Sequence, residues 1–383
     1  MRLLRRQFLR FAAAGAGAIL ASPRMALASA PTDRRFVFII QRGAADGLNI
    51  VIPYGDPEYA ALRREIAIDP ATAIKLNGHF ALNPAMPEAG RLFAGGEALF
   101  VHATASPYRD RSHFDGQNVL ETGGAAPYAQ RDGWMNRLVR LMPRVKEEAI
   151  AFAPTVPLAL RGAADVASFA PSGLQQPTED LLARVGRMYQ SDPQLHSMWQ
   201  AALAARDMGA GQARGQKPAD LAHLAATFLS RSNGPRIAML ETGGWDTHSG
   251  QQFRLTAQLR ALDTMIGALR DTLGPVWNQT TVLVATEFGR TAAVNGTGGT
   301  DHGTASVAML FGGGVNGGRV IADWPGLSQT NLYEQRDLKP TIGIDAVIAG
   351  AAAETFGIDP ERLTKAVFPT RSFERPLQGL IRL

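Results

Sequence analysis

Residues 241–250, ETGGWDTHSG, follow an apolar run and set Asp246 and His248 two positions apart among glycines. That spacing does not place both side chains on one helical face, so the pair belongs in a loop converging on something. Four other stretches share the character. RGAADGLN carries Asp46, SPYRDRSHFDGQN carries Arg111, Ser112, His113 and Asp115, EFGRT carries Glu287 and Arg290, and NGTGGTDHG carries Asp301 and His302. Carboxylates and imidazoles together suit a divalent ion such as Zn, Mn, Fe or Mg better than an ion that prefers thiolate. The chain has no cysteine, which excludes a thiolate site and a disulfide framework. Two ions about 4 Å apart could clamp the attacking and leaving oxygens of a phosphate or sulfate ester, with a serine as nucleophile. Arg111 or Arg290 could then hold the oxyanion through paired hydrogen bonds.

Taken singly, each stretch has a plainer reading. Asp46 in ADG can form a turn, and Ser112 followed by Asp115 can cap a helix. His302 can tie a loop, and Glu287 with Arg290 can be a structural ion pair. Position is what unites them. Apolar runs at 35–41, 98–104, 236–241, 280–286 and 306–313 read as strands, and they alternate with helix-like windows. The pattern predicts an α/β fold, a mostly parallel sheet sandwiched by helices. Such sheets bind ligands at the carboxyl ends of their strands. Four of the polar stretches follow a strand, and the fifth directly precedes the last one.

Between the third and fourth strands, residues 249–274 predict a crossover helix, with Phe253, Leu259, Leu262, Ile266 and Leu269 at helical spacing. Residues 155–233 predict a helical insertion or cap with a mobile loop near 208–220, where MGAGQARGQKPAD separates two helical stretches. The segment TIGIDAVIAGAAAETFG predicts a last helix packed back on the sheet. At the start, Arg5 and Arg6 precede a short apolar stretch, the signature of a twin-arginine export signal over residues 1–30. The apolar part is too short to span a bilayer. Small residues at Ala26-Leu27-Ala28 or Ala28-Ser29-Ala30 offer cleavage sites. This predicts a periplasmic or secreted domain over 31–383, with the Tat machinery as partner and no stable membrane span after cleavage. The signal holds five arginines and no acid, so its removal takes the formal net charge from +5 to about 0. No basic footprint for nucleic acid remains.

The stretches QRGAADGLNIVIPYGD, RSHFDGQNVLETG, DGWMNRL, GGWDTHSGQ, TEFGRTAAVNGTGGTDHG and FGGGVNGG, in this order, resemble the Tat-exported family of unknown function numbered 1501 over nearly the whole mature chain. That family is more loosely similar to the alkaline phosphatase and sulfatase superfamily. The resemblance implies an alkaline-phosphatase-like fold with a metal-binding Asp46 after the first strand and a nucleophilic Ser112 capping the next helix. It implies Asp246 and His248 as ligands of one metal, a further acidic ligand at Glu287, and a last ligand at His302. Two departures stand out. Only Thr247 separates Asp246 from His248, where the superfamily usually has three residues, and Glu287-Phe288 stands in place of an Asp-His pair. His113 or Asp301 would supply the missing second-metal ligand, or that metal is absent.

These readings predict an exported metal-dependent hydrolase of a small anionic phosphate or sulfate ester, with Ser112 as nucleophile and Arg111 or Arg290 steadying the anion. The metal set is Asp46, Asp246, His248, Glu287 and His302, with Asp301 and His113 in reserve, around one or two divalent ions, Zn or Mn first. The competing expectation is a non-catalytic periplasmic binding or assembly protein that retains the fold.

Overall fold

The computed structural model describes residues 33–142, 148–170, 179–208, 217–370 and 375–382. The expected export signal at 1–30 and the centre of the expected mobile loop, 209–216, lie outside the described residues. Twelve strands are described: β1 Arg35–Gln41, β2 Val51–Ile52, β3 Ile74–Lys75, β4 Ala81–Leu82, β5 Ala98–Ala105, β6 Ala149–Ala151, β7 Ala167–Ser168, β8 Ile237–Thr242, β9 Thr280–Thr286, β10 Ser306–Phe311, β11 Arg319–Ile321 and β12 Ile342–Gly343. The helices are α1 Gly47–Ile50, α2 Glu58–Arg63, α3 Pro87–Ala94, α4 His113–Thr122, α5 Trp134–Val139, α6 Glu179–Tyr189, α7 Pro193–Met208, α8 Pro218–Leu229, α9 Gln251–Leu273, α10 Ile344–Phe356 and α11 Pro360–Val367.

Nine strands form one sheet in the order β11-β5-β10-β9-β1-β8-β6-β7, with β12 also paired to β5. Only β10 runs against its neighbours β5 and β9, and the other pairings are parallel. A small antiparallel sheet, β2-β4-β3, lies apart from it. The direction of β10 explains the fifth polar stretch. Because this strand is reversed, the residues before it share an edge with the residues that follow the parallel strands.

β1 is buried throughout, which is why its interior, residues 36–40, reads as an unbroken apolar run between Arg35 and Gln41. Successive side chains alternate between faces. Val37 and Ile39 join a core with Leu92 of α3, Phe228 of α8 and the α9 row Leu255, Leu259, Leu262, Ile266 and Leu269. Phe36, Phe38 and Ile40 join the opposite core with Trp134 and Leu138 of α5, Val347 of α10 and Leu363 of α11. The mostly parallel sheet between two helical layers therefore agrees with the sequence pattern.

Phe253 departs from its expected place, being 83% exposed. It precedes Leu255 by two residues, which at 100° per residue puts it roughly 200° around α9 from the buried row. Residues 155–233 hold β7 in the main sheet and α8 against the core, with α6 and α7 between them. Among the described residues no helix is long and apolar enough to cross a membrane.

Candidate metal centre

Three loops meet at one edge of the sheet, and close backbone approach is what lets them do so. Gly43 follows β1 with φ +121°, a conformation that favours glycine, and a Cβ there would lie 2.7 Å from the amide nitrogen of Asp246. The loop after β8 is anchored by Trp245, which is buried and donates its indole N–H to Thr242 Oγ1 at 3.0 Å. It is stitched to the loop before β10 by Gln251 N to Gly298 O at 2.9 Å and Thr300 N to Thr247 O at 3.1 Å. Gly43→Ala is therefore expected to push the Asp246 loop outward and cost about 1–3 kcal/mol, the usual range for overpacking. A urea unfolding midpoint equal to that of the parent would contradict this.

Within this edge His113, Asp246 and His302 each present a ligand atom, and all these atoms lie within 4.8 Å of one another. His113 opens α4, Asp246 lies in the loop after β8, and His302 lies just before β10. His248 joins them, with its Nε2 3.0 Å from both Asp246 Oδ1 and His302 Nε2. His302 Nε2 is 3.3 Å from Asp246 Oδ1, and His113 Nε2 is 3.4 Å from Asp246 Oδ2.

The opposite ring nitrogens of the three histidines are all engaged. His113 Nδ1 meets Glu287 Oε1 at 2.8 Å, His248 Nδ1 meets Asp301 Oδ1 at 3.2 Å, and His302 Nδ1 meets the carbonyl of Arg111 at 2.9 Å. A carbonyl or an ionised carboxylate can only accept, so each Nδ1 carries the proton. In the neutral ring each Nε2 then presents a lone pair toward Asp246. Two such lone pairs 3.0 Å apart, on His248 and His302, repel unless a proton or a metal ion lies between them. His113 Nε2 is buried and has no hydrogen-bond partner. This donor set fits a divalent ion, and the Nδ1 contacts are the outer partners that fix the tautomer of a metal-binding histidine.

The surrounding carboxylates and burial set the charges of these groups. His113 is held above the usual histidine range, first by its hydrogen bond to Glu287, against the cost of burial. His302 is pushed below that range by burial and by the nearby His113. Burial opposes the charge of Asp246, yet the hydrogen bond and charge of Arg290 hold its carboxyl below the ordinary range. Glu287 is likewise low: burial works against it, and His113, Gln117 and backbone N–H groups outweigh the cost. Glu287→Gln keeps the size but loses the charge that holds the His113 proton. It should weaken zinc binding about 10–100-fold, as loss of an outer partner typically does. A chelator-competition titration that returns the parent affinity would remove Glu287 from this role.

The remaining expected residues divide. Asp46 does not join the cluster: its Oδ2 accepts from Arg63 Nη1 at 2.6 Å and its Oδ1 from Arg63 Nη2 at 3.0 Å. Gln251 Nε2 adds a 2.5 Å bond, and the Leu48 N–H caps α1 on the same carboxylate. Glu287 and Asp301 touch the cluster through His113 and His248. Ser112 stands at the N-cap position of α4 but its side chain makes no cap bond, and its N–H donates to the Tyr108 phenol oxygen at 3.2 Å. Arg290 is buried and pairs with Asp246 at 2.6 Å, where the sequence suggested Glu287. Arg111 pairs with Asp337 at 2.8 Å and also with Glu334, while its carbonyl serves His302. Both guanidinium groups are thus committed to carboxylates.

Sequence reasoning missed Arg63, Gln251, Thr300 and Asp337. Arg63 lies at the end of an ordinary surface-like helix pattern, and its total burial has no local signature. Gln251 follows the DTHSG stretch directly, and a buried polar residue opening a helix beside a ligand loop was the available signal.

The sequence model of a family described as a protein of unknown function (DUF1501) matches residues 33–368. No curated protein matches the chain. Among solved structures, the chain is similar to Ps i-CgsB in complex with k-i-k-neocarrahexaose, at 10% identity and TM-score 0.42, over 85% of this chain and 72% of that one. It is similar to the C-terminal periplasmic domain of EcEptC from Escherichia coli in complex with Zn, at 9% identity and TM-score 0.39, over 74% of each chain. A mutant alkaline phosphatase from the Antarctic bacterium TAB5 with Mg bound in its M3 site gives 13% identity and TM-score 0.38, over 73% of this chain and 91% of that one.

Proposed function

We propose that this chain, which belongs to the DUF1501 family, is an exported metal-dependent hydrolase of small phosphate or sulfate esters, with Ser112 as nucleophile. The observation that carries the metal-dependent part is the convergence of three Nε2 lone pairs on Asp246, with every Nδ1 pinned from behind. The ester class follows from the resemblance of the ordered sequence motifs. Export follows from the twin arginines Arg5 and Arg6.

A divalent ion bound there supplies a Lewis acid for an anionic ester oxygen and lowers the pKa of a nearby hydroxyl. His113, His302 and Asp246 would hold it, with His248 against Asp246 and His302. Ser112 precedes the ligand His113, and its side chain is not spent on capping the helix. Its Oγ bonds to phosphorus or sulfur as the bond to the alcohol oxygen breaks, and the proton it gives up passes, by way of water, to the departing alcohol oxygen. Water then attacks the serine ester, its oxygen joining phosphorus or sulfur and one of its protons returning to Oγ as that bond breaks. Arg290 and Arg111 act as supports in this reading, the first steadying Asp246 and the second fixing the proton of His302 through its carbonyl.

The test is release of p-nitrophenol from p-nitrophenyl phosphate and from p-nitrophenyl sulfate by the zinc-loaded chain lacking residues 1–30, beside Ser112→Ala. Turnover of either ester, lost in the variant while zinc content is kept, is the expected result. A zinc-loaded chain that turns over neither favours the binding or assembly role.

A further inference from the structure

The number of ions this centre can take is written in the lone pairs of the two buried acids nearest to it. We propose that the centre holds a single divalent ion, and that the buried guanidinium of Arg63 stands in for a second cation at Asp46. The inference deepens the metal-dependent reading above and rests on it.

A carboxylate offers about four lone-pair sites on its two oxygens. At Asp46, 1% exposed, those sites face four donors: Arg63 Nη1, Arg63 Nη2, Gln251 Nε2 and the Leu48 N–H. At Glu287, 0% exposed, Oε1 accepts from His113 Nδ1 at 2.8 Å, Gly43 N at 2.9 Å and Gln117 Nε2 at 3.1 Å, while Oε2 meets Thr286 Oγ1 at 3.0 Å, a hydroxyl that also lies 2.8 Å from the Gln41 carbonyl oxygen. Asp46 has no site left for a metal, and Glu287 has Oε1 fully taken and only one buried oxygen, Oε2, in reserve, fewer than the three protein ligands an ion ordinarily needs. Asp301 has one oxygen already shared between His248 and Asn295, so it cannot by itself supply the three protein ligands an ion ordinarily needs.

A buried carboxylate must still be neutralised, and at Asp46 the protein does this itself. Arg63 is fully buried and meets Asp46 through two nitrogens, the paired geometry that makes guanidinium–carboxylate contacts strong. The pair is also wired to the ion site. Gln251 donates to Asp46 and accepts from the hydroxyls of Thr247 at 2.9 Å and Thr300 at 2.5 Å. Thr300 Oγ1 in turn accepts from Arg290 Nε at 3.2 Å, and Arg290 Nη1 donates to Asp246 at 2.6 Å. Asp46 is therefore an anchor for the ligand loops, linked to Asp246 through Gln251 by way of Thr300 and Arg290 and by way of the adjacent Thr247.

The test is the zinc content of the parent after equilibrium dialysis against excess zinc, measured by plasma mass spectrometry, together with its zinc X-ray absorption spectrum. One equivalent and no metal–metal scattering in the roughly 3.5–4 Å range of two-metal sites is the expected result. The D46N/R63M double variant, which removes both charges together, should keep that one equivalent. Two equivalents, a metal–metal vector, or loss of zinc in a folded double variant would each overturn the single-ion centre. Two equivalents would leave the metal-dependent hydrolase reading standing, whereas a parent that takes up no zinc would overturn both. The spectrum of the parent decides the matter even if the double variant does not fold.

Discussion

Asp246→Ala loses zinc altogether under conditions where the parent is saturated, a drop in affinity beyond the roughly 10–100-fold seen when an outer partner is removed. Asp246 is the one carboxylate that all three Nε2 atoms face, at 3.0, 3.3 and 3.4 Å. Without it, three imidazoles remain with no carboxylate on their Nε2 side, and Glu287 and Asp301 reach them only from behind, through Nδ1. Arg290 keeps its bonds to Thr300, so the loop is not left without support. Plasma mass spectrometry on the variant, with its circular dichroism matched to the parent, checks the outcome. Retention of a full equivalent would move the centre elsewhere. In the parent, ligands must be deprotonated to bind. Because the His113 pKa is raised, protons compete at a higher pH than for an ordinary histidine, and zinc affinity should decline as pH falls through that range.

Arg63→Met is expected to cost about 3–5 kcal/mol of folding stability, the range for breaking a buried ion pair from one side. The loss comes from Asp46, whose charge stays buried with only Gln251 and the Leu48 N–H to face it. Replacing both partners, D46N/R63M, should restore most of the stability, since a buried pair removed together is often close to neutral. Chemical unfolding of the parent, the single and the double variants measures all of this. A single variant as stable as the parent would show that Asp46 does not depend on Arg63 in the fold.

Much of the architecture is legible without coordinates. β1 and β9 match their apolar runs residue for residue, and β5 and β8 agree within one. Both signals are local: the interior of a fully buried parallel strand is a run of apolar residues, and the polar residues at its ends, Arg35 and Gln41 of β1 and the threonines of β9, mark its limits. Phe253 shows where the same reasoning fails, because apolar character was read without its angle around α9. The candidate site divides in the same way. The five loops could be found because polar residues cluster where apolar runs stop, and His113, Asp246, His248 and His302 do meet.

The sequence alone determined that these side chains come to one edge of a sheet, since strand polarity and crossover helices leave little choice. It could not say which carboxylates would remain free, because hydrogen-bond saturation depends on partners far away in the chain. Asp46 meets Gln251 across 205 positions and Glu287 meets Gly43 across 244. Only the tertiary structure decided that Asp246 faces the imidazoles while Asp46 is locked to Arg63. The physical reason is that a buried charge takes whatever partner the packing brings to it, and packing is not periodic in sequence.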